Sequence, residues 1–289
     1  MNKTKIFLLL IISLLLCGCA KGPCLQCAQI KQNSQTNDSL STWQEMNTKL
    51  VQFYQAGQLN EATHIANESL RYAKKQFGKN SPYTATSLNN LAELNRIQNK
   101  YREAESFYKE SLTIRKKVLG ADHPDVSITL NNLATLYVSQ KKFKQAESLY
   151  RDSLKIVESK LGKENIGLQS PLANLGELYK MQGKYLEAEV ILKRLTSIYE
   201  KSGKKEDPNF AKALNDLGTV CFFQGKYSEA EPLFNKSIAI LERAYGKNHP
   251  NLTVVLDNIS EVYKRTGNET KAKAFAARAK GIKETNRPS

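Results

Sequence analysis

Chemistry in this chain has to be sought among five cysteines, three histidines and a set of regularly spaced amides. Cys24 and Cys27 form a CxxC pair, a spacing that suits a local disulfide, a redox centre or half of a zinc site. Zinc needs two further ligands, and no second pair exists. Haem attachment needs a histidine where Ala28 stands, and a thioredoxin-like site needs a βαβ setting that is absent. The pair therefore favours a disulfide in an oxidising compartment, with a redox role as the alternative. Cys221 holds the position that Tyr137, Tyr179 and Tyr263 hold at multiples of 42 residues, so a packed, small apolar role is expected. His123 and His249 each precede a proline and read as parts of a turn, with nothing to pair them or His64 as ligands or bases. No GxSxG, HExxH, phosphate-binding loop or dinucleotide fingerprint occurs, and carboxylate pairs such as Glu103 and Glu105 read as helix surface. The residues thus support no enzyme, no metal site and no cofactor.

Recognition is a better prospect than catalysis. Asn90, Asn132, Asn174, Asp216 and Asn258 lie 42 residues apart. An amide both donates and accepts, so such a ladder can hold the backbone of an extended peptide or, equally, bridge neighbouring helices. About a turn further on come Tyr54, Ile97, Val138, Met181, Phe222 and Phe223. Tyr54, Val138 and Phe222 are candidate apolar anchors for a partner, and Phe223 is the better candidate for core.

The elements that position these residues repeat with the same beat. Ala62, Ala104, Ala146, Ala188, Ala230 and Ala272 are each 42 apart, as are Leu88, Leu130, Leu172, Leu214 and Leu256. Pro82, Pro124, Pro208 and Pro250 keep the register, which Ile166 interrupts. Within one unit, Leu88, Leu91, Ala92 and Leu94 and then Ala104, Tyr108 and Leu112 recur at helical spacing on either side of Gln98–Lys100. Gly57, Gly183, Gly225 and Gly267 occupy that break in other units, where a positive φ suits a tight turn. Nothing has a sustained period of two, so no strand is expected. A fixed period of this length means a stacked helix pair, and the alanines mark the closest helix contact.

These residues resemble the tetratricopeptide repeat, and the 42-residue length with the junctions Leu119–Pro124 and Tyr245–Pro250 resembles its kinesin light chain variety. The resemblance covers residues 42–283 and implies an all-α, right-handed superhelical solenoid of about six helix-turn-helix units, followed by a tail at 284–289. It implies that the first helix of each pair lines a concave groove, which turns the asparagine ladder inward. It also implies a protein or peptide partner. A different class of function, an accessory to an envelope enzyme that binds peptidoglycan or polysaccharide, would call for more aromatic platforms than Tyr54, Phe222 and Phe223 supply. The third junction, residues 162–168, lacks its proline, and an irregular stack is expected there.

The amino terminus carries an address. Lys3 and Lys5 precede Ile6–Leu16, an apolar run too short to cross a bilayer core of about 30 Å. Leu16-Cys17-Gly18-Cys19 resembles the lipobox of bacterial lipoproteins, which implies a signal peptide at 1–18 and a lipid on Cys19. Ala20 follows in place of a retention-favouring aspartate, which implies delivery to the outer membrane, facing the periplasm. Residues 19–41 read as a flexible tether rich in polar residues. Loss of residues 1–18 removes two lysines and no acid, so the net charge of +15 becomes +13. That charge is dispersed over Arg115–Lys117, Lys141–Lys142 and the last unit, as solvated outer surface would be, and export argues against a nucleic-acid partner.

Overall fold

A computed structural model describes the backbone of residues 25–286 and side chains from residue 37 to residue 286. Among the described residues there are twelve α-helices and no strand, in an all-α repeat solenoid. The chain divides into two compact units, Met1–Lys79 and Asn80–Ser289, a boundary that falls within the span 42–283.

The first unit contains α1 (Leu25–Gln55) and α2 (Leu59–Gln76). The α1 helix begins well inside the segment expected to be a flexible tether, and this corrects that expectation for residues 25–41. Its physical cause is the absence of any glycine or proline between Leu25 and Ala56, so nothing local stops the helix. Ala62, Ala66 and Ala73 are fully buried along α2, and Leu50 of α1 joins them in the small core.

The second unit contains α3 (Pro82–Ile97), α4 (Tyr101–Leu119), α5 (Pro124–Ser139), α6 (Phe143–Leu161), α7 (Gln169–Met181), α8 (Tyr185–Lys201), α9 (Pro208–Phe223), α10 (Tyr227–Tyr245), α11 (Thr253–Arg265) and α12 (Glu269–Thr285). Local chemistry sets these boundaries. Prolines at the first helical position open α3, α5 and α9, preceded by the side-chain caps Ser81, His123 and Asp207. His123 Nδ1 accepts from the Asp125 amide at 3.1 Å, and His249 Nδ1 accepts from the Asn251 amide at 3.2 Å, so both histidines do serve the turns. Asn99 and Lys141 adopt φ near 60° where the other repeats have glycine. At the junction without its proline a 3₁₀ turn, Ile166–Leu168, precedes α7. A second such turn, Pro250–Leu252, precedes α11 although its proline is present, which the sequence did not announce.

Packing follows the 42-residue register. Ala104, Ala146, Ala188 and Ala230 have no exposed surface, in keeping with their place at the helix contact. Tyr137, Tyr179 and Tyr263 donate to Glu105, Glu147 and Glu231 at 3.1, 3.0 and 2.7 Å, each tying one repeat to the one before. Cys221 takes that tyrosine position in the fifth repeat and is fully buried. The carboxylate left without a tyrosine, Glu189, keeps the two cations found at the same places in other repeats, Lys193 at 2.6 Å and Lys226 at 2.8 Å. Hydrogen bonds from Lys193 and then Lys226 hold its pKa down to about 2. A depressed folded-state pKa contributes stability above the unfolded value, about 4.5, that is lost as pH falls towards 2. Thermal melts between those limits should therefore show a steeper loss of Tm in the native chain than in Glu189→Gln.

One charge expected at the surface is inside. Arg115 is 4% exposed, at a position where Val157, Tyr199 and Leu241 serve other repeats. Its guanidinium donates to the Asp125 carbonyl at 2.6 Å and to Thr129 Oγ1 at 2.8 Å, which offsets the cost of burial, while Nε finds no partner among the described residues.

Candidate functional site: a cleft along the first helices

In the second unit a cleft of about 930 Å³ opens along α7, α9 and α11, the first helices of three consecutive repeats. Its lining combines polar side chains, among them Asn209, Asn215, Asn258 and Thr219, with the apolar Leu241, Tyr245, Val254 and Val255. Val254 is 60% exposed and Tyr245 is 44% exposed, stacked on His249 at 4.6 Å. The charges are balanced. Asp216 accepts from Lys180 at 2.8 Å and from Lys212 at 3.0 Å, and Lys180 also meets Glu177 at 2.5 Å. Burial by itself would lower the Lys180 pKa, but Asp216 and Glu177 outweigh it and raise it, so the ammonium stays charged and engaged. A smaller cleft of about 280 Å³ adjoins the first through Asn209, Lys212 and Asp216 and reaches Asn131 and Asn174.

The register places Asn174, Asp216 and Asn258 on this face, and the ladder's asparagine amides also bond between repeats. Asn132 Nδ2 donates to Asn89 Oδ1 at 3.2 Å, Asn174 Nδ2 to Asn131 Oδ1 at 3.1 Å and Asn258 Nδ2 to Asn215 Oδ1 at 2.9 Å. Each rung thus crosses to the residue 43 positions earlier, in the preceding repeat. Where Asp216 should meet that residue, Ala173 stands, and the two lysines take its place. Asn90 is half-buried at the equivalent position on α3. The ladder therefore braces neighbouring repeats through one amide donation each from Asn132, Asn174 and Asn258, the structural alternative that the sequence offered. Asn132→Ala should lower stability by about 1 kcal/mol, read as a lower Tm, because it strands the Asn89 carbonyl.

The apolar candidates divide differently from expectation. Phe222 is half-buried against the core and packs on Tyr227 at 5.5 Å, while Phe223 is 56% exposed and stacks on Tyr185 at 5.1 Å. Their roles are the reverse of those expected, because consecutive helical residues point about 100° apart and the turn to α10 covers Phe222. Neither lines the cleft, and Val138 is likewise packed against the core. Tyr54 is 44% exposed on α1 in the first unit. Cys19 and Cys24 lie outside the described residues, as does the side chain of Cys27. The cleft residues that sequence reasoning missed, Tyr245, Val254 and Asn209, sit at the proline junctions. The pairs Asn89-Asn90 and Asn131-Asn132 were the available sign that an asparagine's partner would be another asparagine.

Family models of the tetratricopeptide repeat match residues 84–125 and 126–166, and a second model of the same repeat matches 167–243 and 209–285. The chain belongs to the tetratricopeptide repeat family. Repeats of this family form non-catalytic scaffolds that bind protein or peptide partners. Among solved structures, the chain is similar to BtubC (BKLC) from P. vanneervenii, with 23% identity and a TM-score of 0.70 over 80% of this chain and 94% of that one. A putative kinesin light chain from Podosopora anserina with nearly identical repeats has 21% identity and a TM-score of 0.62, over 72% of this chain and 99% of that one. Pseudomonas aeruginosa pilF has 14% identity and a TM-score of 0.60, over 87% and 95% respectively. These likenesses show the fold. No curated protein matches the sequence.

Proposed function

We propose that this tetratricopeptide repeat protein is a lipid-anchored adaptor of the bacterial cell envelope that holds an extended segment of a partner protein in the cleft along α7, α9 and α11. The observation that carries the reading is the meeting, in one cleft, of charge-balanced and amide groups with the exposed apolar side chains of Val254 and Tyr245. An extended peptide offers matching chemistry, with backbone groups for the polar side chains and alternate side chains for Val254 and Tyr245. A polysaccharide would need stacking platforms, and Tyr245 is the single aromatic side chain lining this cleft. The anchor rests on the Leu16–Cys19 spacing, and attachment to the outer membrane facing the periplasm rests on Ala20.

Photo-crosslinking from position 254 in living cells tests the cleft. Capture of a discrete protein, absent when the probe sits at exposed position 160 on α6, supports the adaptor. Crosslinks to glycan or to nothing overturn it. The anchor is tested by Cys19→Ser, which should release the protein from membranes or leave an unprocessed precursor. An intact mass showing unmodified Cys19 in the native mature chain would refute it.

A further inference from the structure

Two residues of α8 depart from the pattern of the repeats. Leu186 and Val190 are 71% and 69% exposed, more than any other large apolar residue among the described ones. In the equivalent places other repeats carry Arg102, Lys144 and Ser228 for Leu186, and Ser106, Ser148 and the smaller Pro232 and Ala274 for Val190. The two lie one helical turn apart and form a stripe along the outer side of α8. Near the start of the same helix, Phe223 is exposed and stacked on Tyr185. Exposed apolar side chains grouped on one helix in this way mark an interaction surface.

We infer that α8 is a self-association surface, on which a second copy of this chain packs its own α8 antiparallel about a two-fold axis at Val190. A two-fold contact must be complementary to itself, because residues at equal distances on opposite sides of the axis meet. Glu187 lies three residues before Val190 and Lys193 three residues after, so Glu187 of each copy faces Lys193 of the other. Glu187 is exposed, and the Lys193 side chain, 55% exposed, holds Glu189 of its own chain at 2.6 Å and keeps two further ammonium hydrogens for Glu187 of the other copy. Leu186, four residues before the axis, meets the stem of Arg194, four after. The Arg194 guanidinium is drawn aside by Glu158 at 2.5 Å and the Lys163 carbonyl at 2.7 Å, which leaves that stem as apolar surface. The neighbouring lysines are paired, Lys184 with Glu147 at 3.6 Å and Lys226 with Glu189 at 2.8 Å. The cations beside the stripe are thus held by carboxylates of the same chain, which leaves its centre apolar.

Sedimentation velocity of the full-length chain in mild detergent, at micromolar concentrations, should give a particle of two copies. Leu186→Glu should give one copy with an unchanged helical spectrum. Glu187→Lys and Lys193→Glu should each raise the dissociation constant about tenfold, and the double exchange should restore it. Val190→Cys, placed on the axis, should form a disulfide-linked dimer under mild oxidation in cells, whereas a cysteine at Ser228 should not. A single copy at every concentration overturns the inference, as does a dimer indifferent to Leu186→Glu or a double exchange that fails to restore association. A monomer that binds anionic vesicles through Leu186 assigns the patch to the membrane and overturns it too.

Discussion

Phe234→Ala is expected to lower the stability of the unit Asn80–Ser289 by about 3–5 kcal/mol, the largest single effect on folding. The ring is 1% exposed and belongs to the core that runs from the second repeat to the sixth. It takes the place of Tyr108, Tyr150 and Leu192, so the three preceding repeats fill this position with a large side chain, while the terminal repeats have Ala66 and Ala276. Its room comes from Gly218. A β-carbon there would stand 2.8 Å from Phe234 Cε1 and 3.0 Å from Cζ, closer than a buried ring can yield. Gly218→Ala should therefore destabilise the native protein, although alanine is the better helix former by about 1 kcal/mol. In the Phe234→Ala background the clash is gone and Gly218→Ala should stabilise. Urea unfolding of the four combinations reads this reversal of sign. A Gly218→Ala change that stabilises in both backgrounds would show that the ring does not depend on the glycine.

Val254→Asp is expected to cost about 30-fold or more in affinity for the partner captured from position 254, in the range found for lost interface anchors. The new carboxylate would stand among the apolar side chains that line the cleft with Tyr245, where a bound peptide excludes water from it. Because Val254 is well exposed, folding should change by no more than about 0.5 kcal/mol. Asn132→Ala should do the converse, lowering Tm while leaving affinity unchanged once folded protein is counted. Titration calorimetry and melting curves on both variants separate a binding side chain from an inter-repeat brace. Retained affinity in Val254→Asp would place the partner elsewhere on the molecule.

The contrast between these variants follows from what each level of structure controls. The 42-residue period determined the helices, their turns and their caps, because those depend on bonds within about four residues and on the sign of one φ angle. It was enough to put His123 and His249 in turns, Ala104 and Ala146 at helix contacts and Cys221 in the core. It also placed the asparagines on one face, since equal spacing in a regular repeat is equal direction. What it left open was which neighbour each side chain meets. Asn132 reaches Asn89, Phe222 is covered while Phe223 is not, and Arg115 turns inward to Thr129 and the Asp125 carbonyl. A step of one residue rotates a side chain by about 100°, so such outcomes depend on how adjacent helices are set against each other. That angle is decided by the packed repeats together, and no single repeat carries it in its own residues.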